Sequence, residues 1–365
     1  MKFVCSKQDL VEAVTIVQKA VMAKATLPVL EGIYIEAGEK VKLVGNCFDL
    51  GIEYTLQADD IEKGSIVVNS RIFGDIVRRL PDSEVFIQVK DNFVVAIECL
   101  NSYFEIKGLS AEGYPMLPEV DEESKISISQ NTLRDMIRKT IYAISDDENR
   151  RILTGSLMEA ADGDFNIVSL DGFRLASAKT MIKENVSFKA VIPGKNLNEI
   201  QKILETTDDE IKITLSKNQA LFEMENCRII SSLLDGEYMN YRSFIPEQYE
   251  TVIEVNVKDI TQGIERASLI TSDDKRFPVK LNIADNKLLI TTNAEVGISK
   301  EEIEVEMDGN DLTIGFNPRY LLDSLKVIDD ENIVISFSSS IGPSVIRPVS
   351  GDKYLFMVLP VRMSN

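Results

Sequence analysis

The sequence predicts an α+β protein made of three repeated domains, each with two helices and about eight strands. Three observations predict this fold class. A twelve-residue helical pattern occurs three times, beginning at positions 69, 193 and 317, which are 124 residues apart. Amphipathic helical periodicity alternates with short apolar runs that are typical of strands. The length of 365 residues gives each repeat enough chain for a core of its own.

The recurring pattern repeats its chemistry position by position. The windows 69–80, 193–204 and 317–328 each follow a strand-like run and open with Asn or Pro, which favour a helix start. The third and tenth residues are basic and the seventh is acidic, and this spacing puts them on one stripe of a helix. The fifth and twelfth residues are apolar. Each helix therefore has a core side and a side with two cations. Solenoid repeats run roughly 20–50 residues, so this longer spacing indicates repeated domains.

Each third of the chain reads strand, helix and three strands, and then the same order again. The predicted helices occupy residues 7–22, 70–80, 130–144, 195–205, 258–270 and 318–328. The predicted strands occupy residues 2–5, 32–36, 41–46, 51–57, 65–68, 84–89, 93–98, 103–107, 125–128, 155–160, 164–169, 174–179, 190–192, 210–216, 220–225, 227–233, 251–255, 279–284, 287–292, 297–306, 312–316, 332–338, 344–349 and 353–359. Polar, proline-bearing stretches at 115–125 and 244–251 separate the thirds. They give domains 1–124, 125–249 and 250–365.

Charge is divided unevenly between the helices and the rest of the chain. The net charge is −19, which by itself argues against nucleic-acid binding. The six predicted helices, however, hold 14 Lys and Arg against 9 Asp and Glu, a net of +5, which leaves −24 elsewhere. If the helices share a face, that face attracts an anion on a particle that otherwise repels one.

Composition excludes several classes of site. The chain has no His, which removes the usual general base and a common metal ligand. Its cysteines are far apart and form no C-x-x-C motif, so we expect buried thiols in a reducing compartment and neither a disulfide framework nor a zinc site. No apolar run reaches about 18 residues, and the N-terminus does not read as a signal peptide. We therefore expect a cytoplasmic protein with no membrane span, metal or cofactor.

Five segments resemble one family along the whole chain. They read MKFVCSKQDL at 1–10, TLPVL at 26–30, LDGFRLA at 170–176, IGFNPRYLLDSL at 314–325 and YLFMVLPVR at 354–362. In these segments the chain resembles the bacterial DNA polymerase III beta subunits, the replication sliding clamps. The resemblance implies a DNA-clamp fold in which two chains join head to tail as a ring. It also implies a non-catalytic processivity factor whose helices line a hole around double-stranded DNA. Weak contacts to phosphate without base readout would permit sliding.

The resemblance also implies DNA-facing residues. Lys24 and Arg71 match lining positions of the family, and the segment 147–151 matches a loop that approaches DNA. Because this loop begins with the acidic run 146–148, we favour its two arginines over its other residues. Together with cations on the predicted helices, the expected DNA-binding residues are Lys24, Arg71, Arg78, Arg134, Arg138, Arg150, Arg151, Lys195 and Lys202.

A second implied site is a groove between domains two and three. In the family it takes short peptide motifs of the replicative DNA polymerase, the clamp loader and repair proteins. Its expected wall consists of Leu153, Gly172, Phe173, Arg174, Leu175, Phe244, Asn317, Tyr320, Pro360, Val361 and Arg362. Such a pocket suits leucine and aromatic anchors, and Arg174 and Arg362 would orient polar groups of the peptide. Family members often carry His in place of Phe173 and Pro in place of Met239, so we expect a more apolar pocket here.

The dimer joint would pair domain one of one chain with domain three of the other. Phe104, Leu269 and Ile270 match apolar positions in that joint, and the centre of an obligate interface is expected to be apolar.

Two other functions are weighed against this one. A metal-dependent hydrolase would use Asp171 with the acidic runs 146–148 and 208–210, although acidic runs at predicted turns are commonly solvated. A structural scaffold would have no DNA role and no preference for DNA topology. A Mg²⁺-dependent turnover assay tests the first alternative, and retention on circular but not linear DNA tests the second.

Overall fold

The computed structural model describes residues 1–270 and 278–362. The described residues form α-helices α1 to α6 at Lys7–Val17, Ser70–Arg79, Gln130–Thr140, Gly194–Ile203, Val257–Ser268 and Pro318–Leu325. They form strands β1 to β26 at Lys2–Ser6, Gly32–Ala37, Val41–Asn46, Leu50–Leu56, Asp59–Glu62, Gly64–Asn69, Glu84–Val89, Val94–Cys99, Ser102–Lys107, Ser124–Ser129, Gly155–Ala161, Asp164–Leu170, Arg174–Met181, Phe188–Pro193, Glu210–Leu215, Gln219–Glu223, Cys227–Ser232, Thr251–Asn256, Val279–Ala284, Lys287–Ala294, Gly297–Glu304, Glu306–Gly309, Leu312–Phe316, Asn332–Phe337, Ser344–Pro348 and Tyr354–Val358.

The predicted elements are confirmed with small changes. Every predicted helix and strand overlaps an observed one, and the ends of predicted helices 7–22 and 130–144 tighten into 3₁₀ turns. The prediction of one strand at 297–306 is wrong. The chain forms two strands there, because β21 pairs with β20 whereas β22 pairs with β18. Strand β5 was not predicted, since its sequence DDIE is acidic and mostly exposed.

Two of the three repeated windows begin with the Asn helix cap that their sequence predicts. The Asn69 side chain accepts a hydrogen bond from the N–H of Ile72, and Asn317 does so from Arg319. The apolar fifth residues Phe73 and Leu321 are buried, as the amphipathic pattern requires.

The described chain divides into two compact units. The first contains Met1–Gln130 and Lys202–Leu233, and the second contains Asn131–Gln201 and Leu234–Asn365. Within the described part of the first unit, the antiparallel sheets run β5-β1-β7-β8-β9 and β10-β15-β16-β17-β4-β3-β2-β6. In that of the second unit, they run β14-β11-β12-β13-β26-β25-β24-β18-β22 and β21-β20-β19-β23. Domain bounds 1–124, 125–249 and 250–365 remain a prediction.

One joint is built twice by the repeat. In the first unit β4 pairs antiparallel with β17, with Ile52 opposite Ile229. In the second unit β13 pairs in the same way with β26, with Ala176 opposite Phe356. In both cases the fourth strand of one predicted domain meets the last strand of the next. Among residues 1–270 and 278–362, β9 and β21 hold the corresponding positions and end their sheets, with a partner on one side only.

Two apolar clusters lie in the second unit. One packs α5 and α6 against the sheets and includes Ile264, Leu281, Phe316 and Phe356. The other includes side chains from β11, β12, β13, β25 and β26 together with Tyr241, which belongs to the 3₁₀ helix Tyr241–Phe244. We call this second set the floor cluster: Leu153, Leu157, Val168, Leu170, Leu175, Val191, Tyr241, Val345 and Met357.

Candidate functional site

A tight turn leads into β13 and presents Phe173. The Asp171 carboxylate accepts hydrogen bonds from the N–H groups of Phe173 at 2.7 Å and Arg174 at 3.0 Å. Gly172 has a φ of +96°, and a β-carbon there would lie 3.0 Å from a guanidinium nitrogen of Arg150. This backbone conformation suits glycine. The turn leaves Phe173 56% exposed.

Arg174 fastens this turn to α6. Its guanidinium donates to Asp171 at 3.0 Å and to Asp323 at 2.6 Å, and its side chain is only 10% exposed. The guanidinium carbon lies 4.7 Å from the ring centroid of Tyr320 and 5.4 Å from that of Tyr142. Because these carboxylates already occupy Arg174, the geometry supports a positioning role more than the predicted direct contact to a peptide.

Asp323 contacts a residue of the predicted groove but is not itself predicted from the sequence, and Asp171 is predicted only for the hydrolase alternative. A weak signal existed, because Asp323 is the acidic seventh residue of the third repeated window. The partner of that acid could not be read from the window, since Arg174 lies 149 residues away in the chain.

Phe173 contacts both α6 and the segment that follows β26. The rings of Phe173 and Tyr320 stack with centroids 6.2 Å apart. The Leu359 N–H donates to the Phe173 carbonyl at 2.8 Å, and the Val361 N–H donates to the Gly315 carbonyl at 2.9 Å. Val361 is thereby fixed beside β23, the strand that leads into α6, with 37% of its surface exposed.

The other predicted wall residues are divided between the floor cluster and its rim. Leu153 and Leu175 are buried in the floor cluster. Phe244 ends the 3₁₀ helix that contributes Tyr241 to that cluster, and Phe244 is 41% exposed. Pro360 is half-buried and Arg362 is exposed. The described geometry therefore gives an apolar floor edged by exposed aromatic and aliphatic side chains.

The predicted DNA-binding cations are on the surface, with one exception. Those that are exposed are Lys24, Arg71, Arg78, Arg134, Arg150, Arg151, Lys195 and Lys202. Arg138 is half-buried and is held by Asp329 and, at 2.7 Å, by Asp135. Arg150 binds Asp147 at 3.2 Å and lies beside Gly172, which places it at the turn of residues 171–174.

Helix acids partly neutralise these cations. Arg78 donates to Asp75 on its own helix at 3.1 Å, and this hydrogen bond lowers the pKa of Asp75. In the third window Arg319 lies 3.9 Å from Asp323. The repeated acidic residue therefore orients neighbouring cations and reduces the net positive charge of each helix.

The predicted joint residues lie at or near the two edge strands. Phe104 is on β9 and is 40% exposed, and Leu269 follows α5 and is 78% exposed. Ile270 is half-buried. On β21, Ile298 is 65% exposed.

The hydrolase alternative finds no support at Asp171, whose carboxylate oxygens are used by the turn and by Arg174. Over residues 1–270 and 278–362, no group of three or more His, Cys, Asp or Glu side chains is arranged to hold a metal ion. None of the helices in these ranges is long and apolar enough to cross a membrane.

Three models of one family match the chain in order. The N-terminal domain of the DNA polymerase III beta subunit matches residues 1–118, its central domain matches 127–240, and its C-terminal domain matches 242–362. The chain belongs to the DNA polymerase III beta-subunit family. The predicted DNA-clamp fold is confirmed by this match and by the solved structures of relatives.

Relatives of this beta subunit are similar over their full length. The beta sliding clamp of Bacillus subtilis is 36% identical over 376 residues, covering 99% of this chain and 100% of that protein. The beta sliding clamp of Halalkalibacterium halodurans is 35% identical over 378 residues, with the same coverage. The crystal structure of the Bacillus subtilis clamp matches with a TM-score of 0.95, 36% identity and 100% of both chains. A putative beta subunit from Eubacterium rectale matches with a TM-score of 0.94, 36% identity and 100% of both chains.

Proposed function

We propose that this sliding clamp is a non-catalytic, cytoplasmic processivity factor. Two copies join head to tail around duplex DNA, and the groove edged by Phe173 and Tyr320 tethers the replicative polymerase, the clamp loader and repair proteins. Three clamp domains, with bounds 1–124, 125–249 and 250–365, make up each chain. The relatives named beta sliding clamp support this proposal.

The observation that carries the ring is the pair of unfilled sheet edges. The joints β4–β17 and β13–β26 each add the last strand of one domain to the fourth strand of the preceding one. By the same rule β21 of one chain would take β9 of another. An exposed edge offers unpaired N–H and C=O groups that favour such addition. Exposed Phe104, Leu269 and Ile298 supply apolar surface for this joint.

The ring is tested by solution mass. A chain of 40.8 kDa should sediment at twice that mass at micromolar concentration. Ile298→Glu would bury a charge in the joint and should shift the equilibrium to monomer. Ile341→Glu is the matched control, because Ile341 is 85% exposed and lies outside both edge strands. A wild-type protein that is a stable monomer would contradict the proposed joint. An Ile298→Glu variant that dimerises as strongly as wild type would also contradict it.

The exposed cations on the helices support contact with DNA phosphate. A ring that holds DNA by topology should stay on nicked circular DNA after loading with a clamp loader and ATP, and should leave linear DNA through its ends. Replacing Arg71 and Lys195 with Gln should lower residual affinity for linear DNA and its salt dependence. Equal retention on linear and circular DNA would argue for a scaffold instead.

The exposed aromatic rim supports peptide binding. Phe173→Ala should weaken binding of a fluorescent peptide with leucine and phenylalanine anchors by about tenfold, as expected for loss of an aromatic contact at a hot spot. Met181→Ala is the control, since Met181 lies at the far end of β13, the strand that Phe173 precedes, and is 82% exposed. If both variants bind like wild type, the peptide site lies elsewhere.

A further inference from the structure

A buried carboxylate lies beneath the segment that carries Phe244. Glu159 is on β11 and is 4% exposed. It accepts a hydrogen bond from the Tyr241 hydroxyl at 2.6 Å, and the Arg242 guanidinium binds the same carboxylate. Lys189, on the neighbouring strand β14, is more distant, with its Nζ 3.9 Å away.

Both close partners of Glu159 belong to the 3₁₀ helix Tyr241–Phe244. The backbone of this segment bonds within itself: Tyr241 N–H donates to Met239, Ser243 to Asn240 and Ile245 to Arg242. Such local bonds shape the segment but do not fasten it to the sheet. Side chains do so: Ile245 packs against the floor cluster, and Tyr241 and Arg242 supply the polar contacts, both to Glu159.

We propose that Glu159 is a positioning residue that fixes the 3₁₀ helix and so places Phe244 in the wall of the peptide groove. This inference rests on the proposed function of that groove. A carboxylate taken out of water must be paired, because an isolated buried charge is costly. Lys189 is too distant and exposed to replace them, so the two close pairing groups reach Glu159 only when the 3₁₀ helix is docked. Docking and charge burial therefore occur together, and the helix has one favoured place on the sheet.

The repeat provides an internal comparison. In the first unit, the Tyr114 hydroxyl donates to the carbonyl of Val44 at 3.2 Å. In the second, Tyr238 donates in the same way to Val168 at 3.3 Å, with both residues 124 positions later. Three residues after each tyrosine stand Leu117 and Tyr241, respectively.

The two segments thus share one tyrosine anchor but differ at the position three residues after it. Glu36 occupies the place of Glu159 in the strand sequences GIYIEA and GSLMEA, and Glu36 is only half-buried. Leu117 and Pro118 stand in place of Tyr241 and Arg242 and have no polar side-chain group. The first segment therefore packs without a charged latch, our term for the contacts of Glu159 with Tyr241 and Arg242. The fold therefore does not require the latch, and it occurs in the segment that leads to Phe244.

The test uses the absence of tryptophan from this chain. Phe244→Trp introduces a single fluorophore that reports order of the 3₁₀ helix in the free protein. In that background, Glu159→Gln and Arg242→Met should increase acrylamide quenching and lower the anisotropy of Trp fluorescence. In the wild-type background, each substitution should lower the affinity for the fluorescent peptide by about threefold to tenfold, because one charge-assisted contact is lost.

Controls separate positioning from general destabilisation. Arg242 is exposed, so Arg242→Met tests the latch without disturbing the core, and Arg242→Lys should retain much of the affinity. Lys189→Met should change affinity less than about twofold, because Lys189 is 72% exposed and distant from the carboxylate. The double variant of Glu159 and Arg242 should be no weaker than the worse single variant, since both break one contact.

The outcomes distinguish this inference from the function on which it rests. If wild-type protein does not bind the peptide, the groove assignment fails, while the quenching data still report on the latch. The positioning role is overturned if wild type binds the peptide and Glu159→Gln and Arg242→Met bind it with the same affinity, with quenching equal to that of Phe244→Trp alone. Greater quenching with unchanged affinity also overturns it, because the helix then does not shape the groove.

Discussion

Arg174→Met should cost the turn of residues 171–174 roughly 3–5 kcal/mol of local stability, the usual result of removing one partner from a buried ion pair. The variant leaves Asp171 without its cation and Asp323 with only the exposed Arg319, 3.9 Å away, and the two carboxylates are only 12% and 28% exposed. Loss of the contact with the Tyr320 ring adds about 0.5–1 kcal/mol. Water can reach part of Asp323, so we expect the lower end, about 3 kcal/mol.

Amide hydrogen exchange measures this change locally. The N–H groups of Phe173 and Arg174 donate to Asp171, so their exchange reports opening of the turn. A cost of about 3 kcal/mol corresponds to roughly 100-fold faster exchange, since each 1.4 kcal/mol is a factor of ten. Peptic fragments that cover residues 170–176 would show it by mass spectrometry.

Arg347→Met is the matched control for this prediction. Arg347 also meets an aromatic ring and a hydrogen-bonding group, but its described partner is the neutral Tyr249, with the hydroxyl at 3.1 Å. We expect a cost of about 1 kcal/mol and no change at the turn. Exchange in Arg174→Met within threefold of wild type, or equal acceleration of the turn in the control, would refute the reasoning.

Three further predictions concern single groups. Burial raises the pKa of the Cys5 and Cys227 thiols to about 12, so at pH 8 iodoacetamide should label half-buried Cys47 much faster; rapid labelling of the other two, read by mass spectrometry, would contradict this. Burial opposes ionisation of Asp330, yet hydrogen bonds from a lysine and a tyrosine outweigh this effect and hold its pKa below the ordinary value of 3.8. The stability that these bonds give the folded protein is therefore fully present above pH 3.8. It is lost as the pH falls through the pKa of Asp330 in the folded state. Asp330→Asn should therefore flatten the acid limb of the unfolding midpoint, measured by circular dichroism. Gly172→Ala should cost about 1–2 kcal/mol because the left-handed φ disfavours a β-carbon, and unchanged exchange at this turn would refute that cost.

The helices and most strands could be predicted because their signals are local. The Asn caps of α2 and α6 and the buried Phe73 and Leu321 follow from residues a few positions apart. The exceptions have physical causes. The acidic edge strand β5 has no apolar alternation, and the break between β21 and β22 depends on which neighbour each strand meets.

The candidate site was less predictable because its contacts are distant in sequence. Residue types suitable for a groove could be named, but not the pairing of Arg174 with Asp323 across 149 residues. Nor could the pattern show that Arg150 lies against Gly172 or that Glu159 is buried. Periodicity assigns a face to each side chain, whereas these contacts depend on how faces from different elements meet.

The two observed joints show why a repeated backbone does not by itself make a repeated binding site. At the first, a β-carbon on Gly51 would lie 2.2 Å from the Leu117 side chain, so the linker packs directly on that strand. At the second, the residue 124 positions later is Leu175, and Tyr241 stands in place of Leu117. A leucine on the strand prevents the same close approach, and the hydroxyl of Tyr241 is bound by Glu159. Strand pairing therefore sets where a joint forms, and a few side chains decide how closely its own linker packs there. The second joint, where this close approach is prevented, is the one at which we propose that a peptide binds.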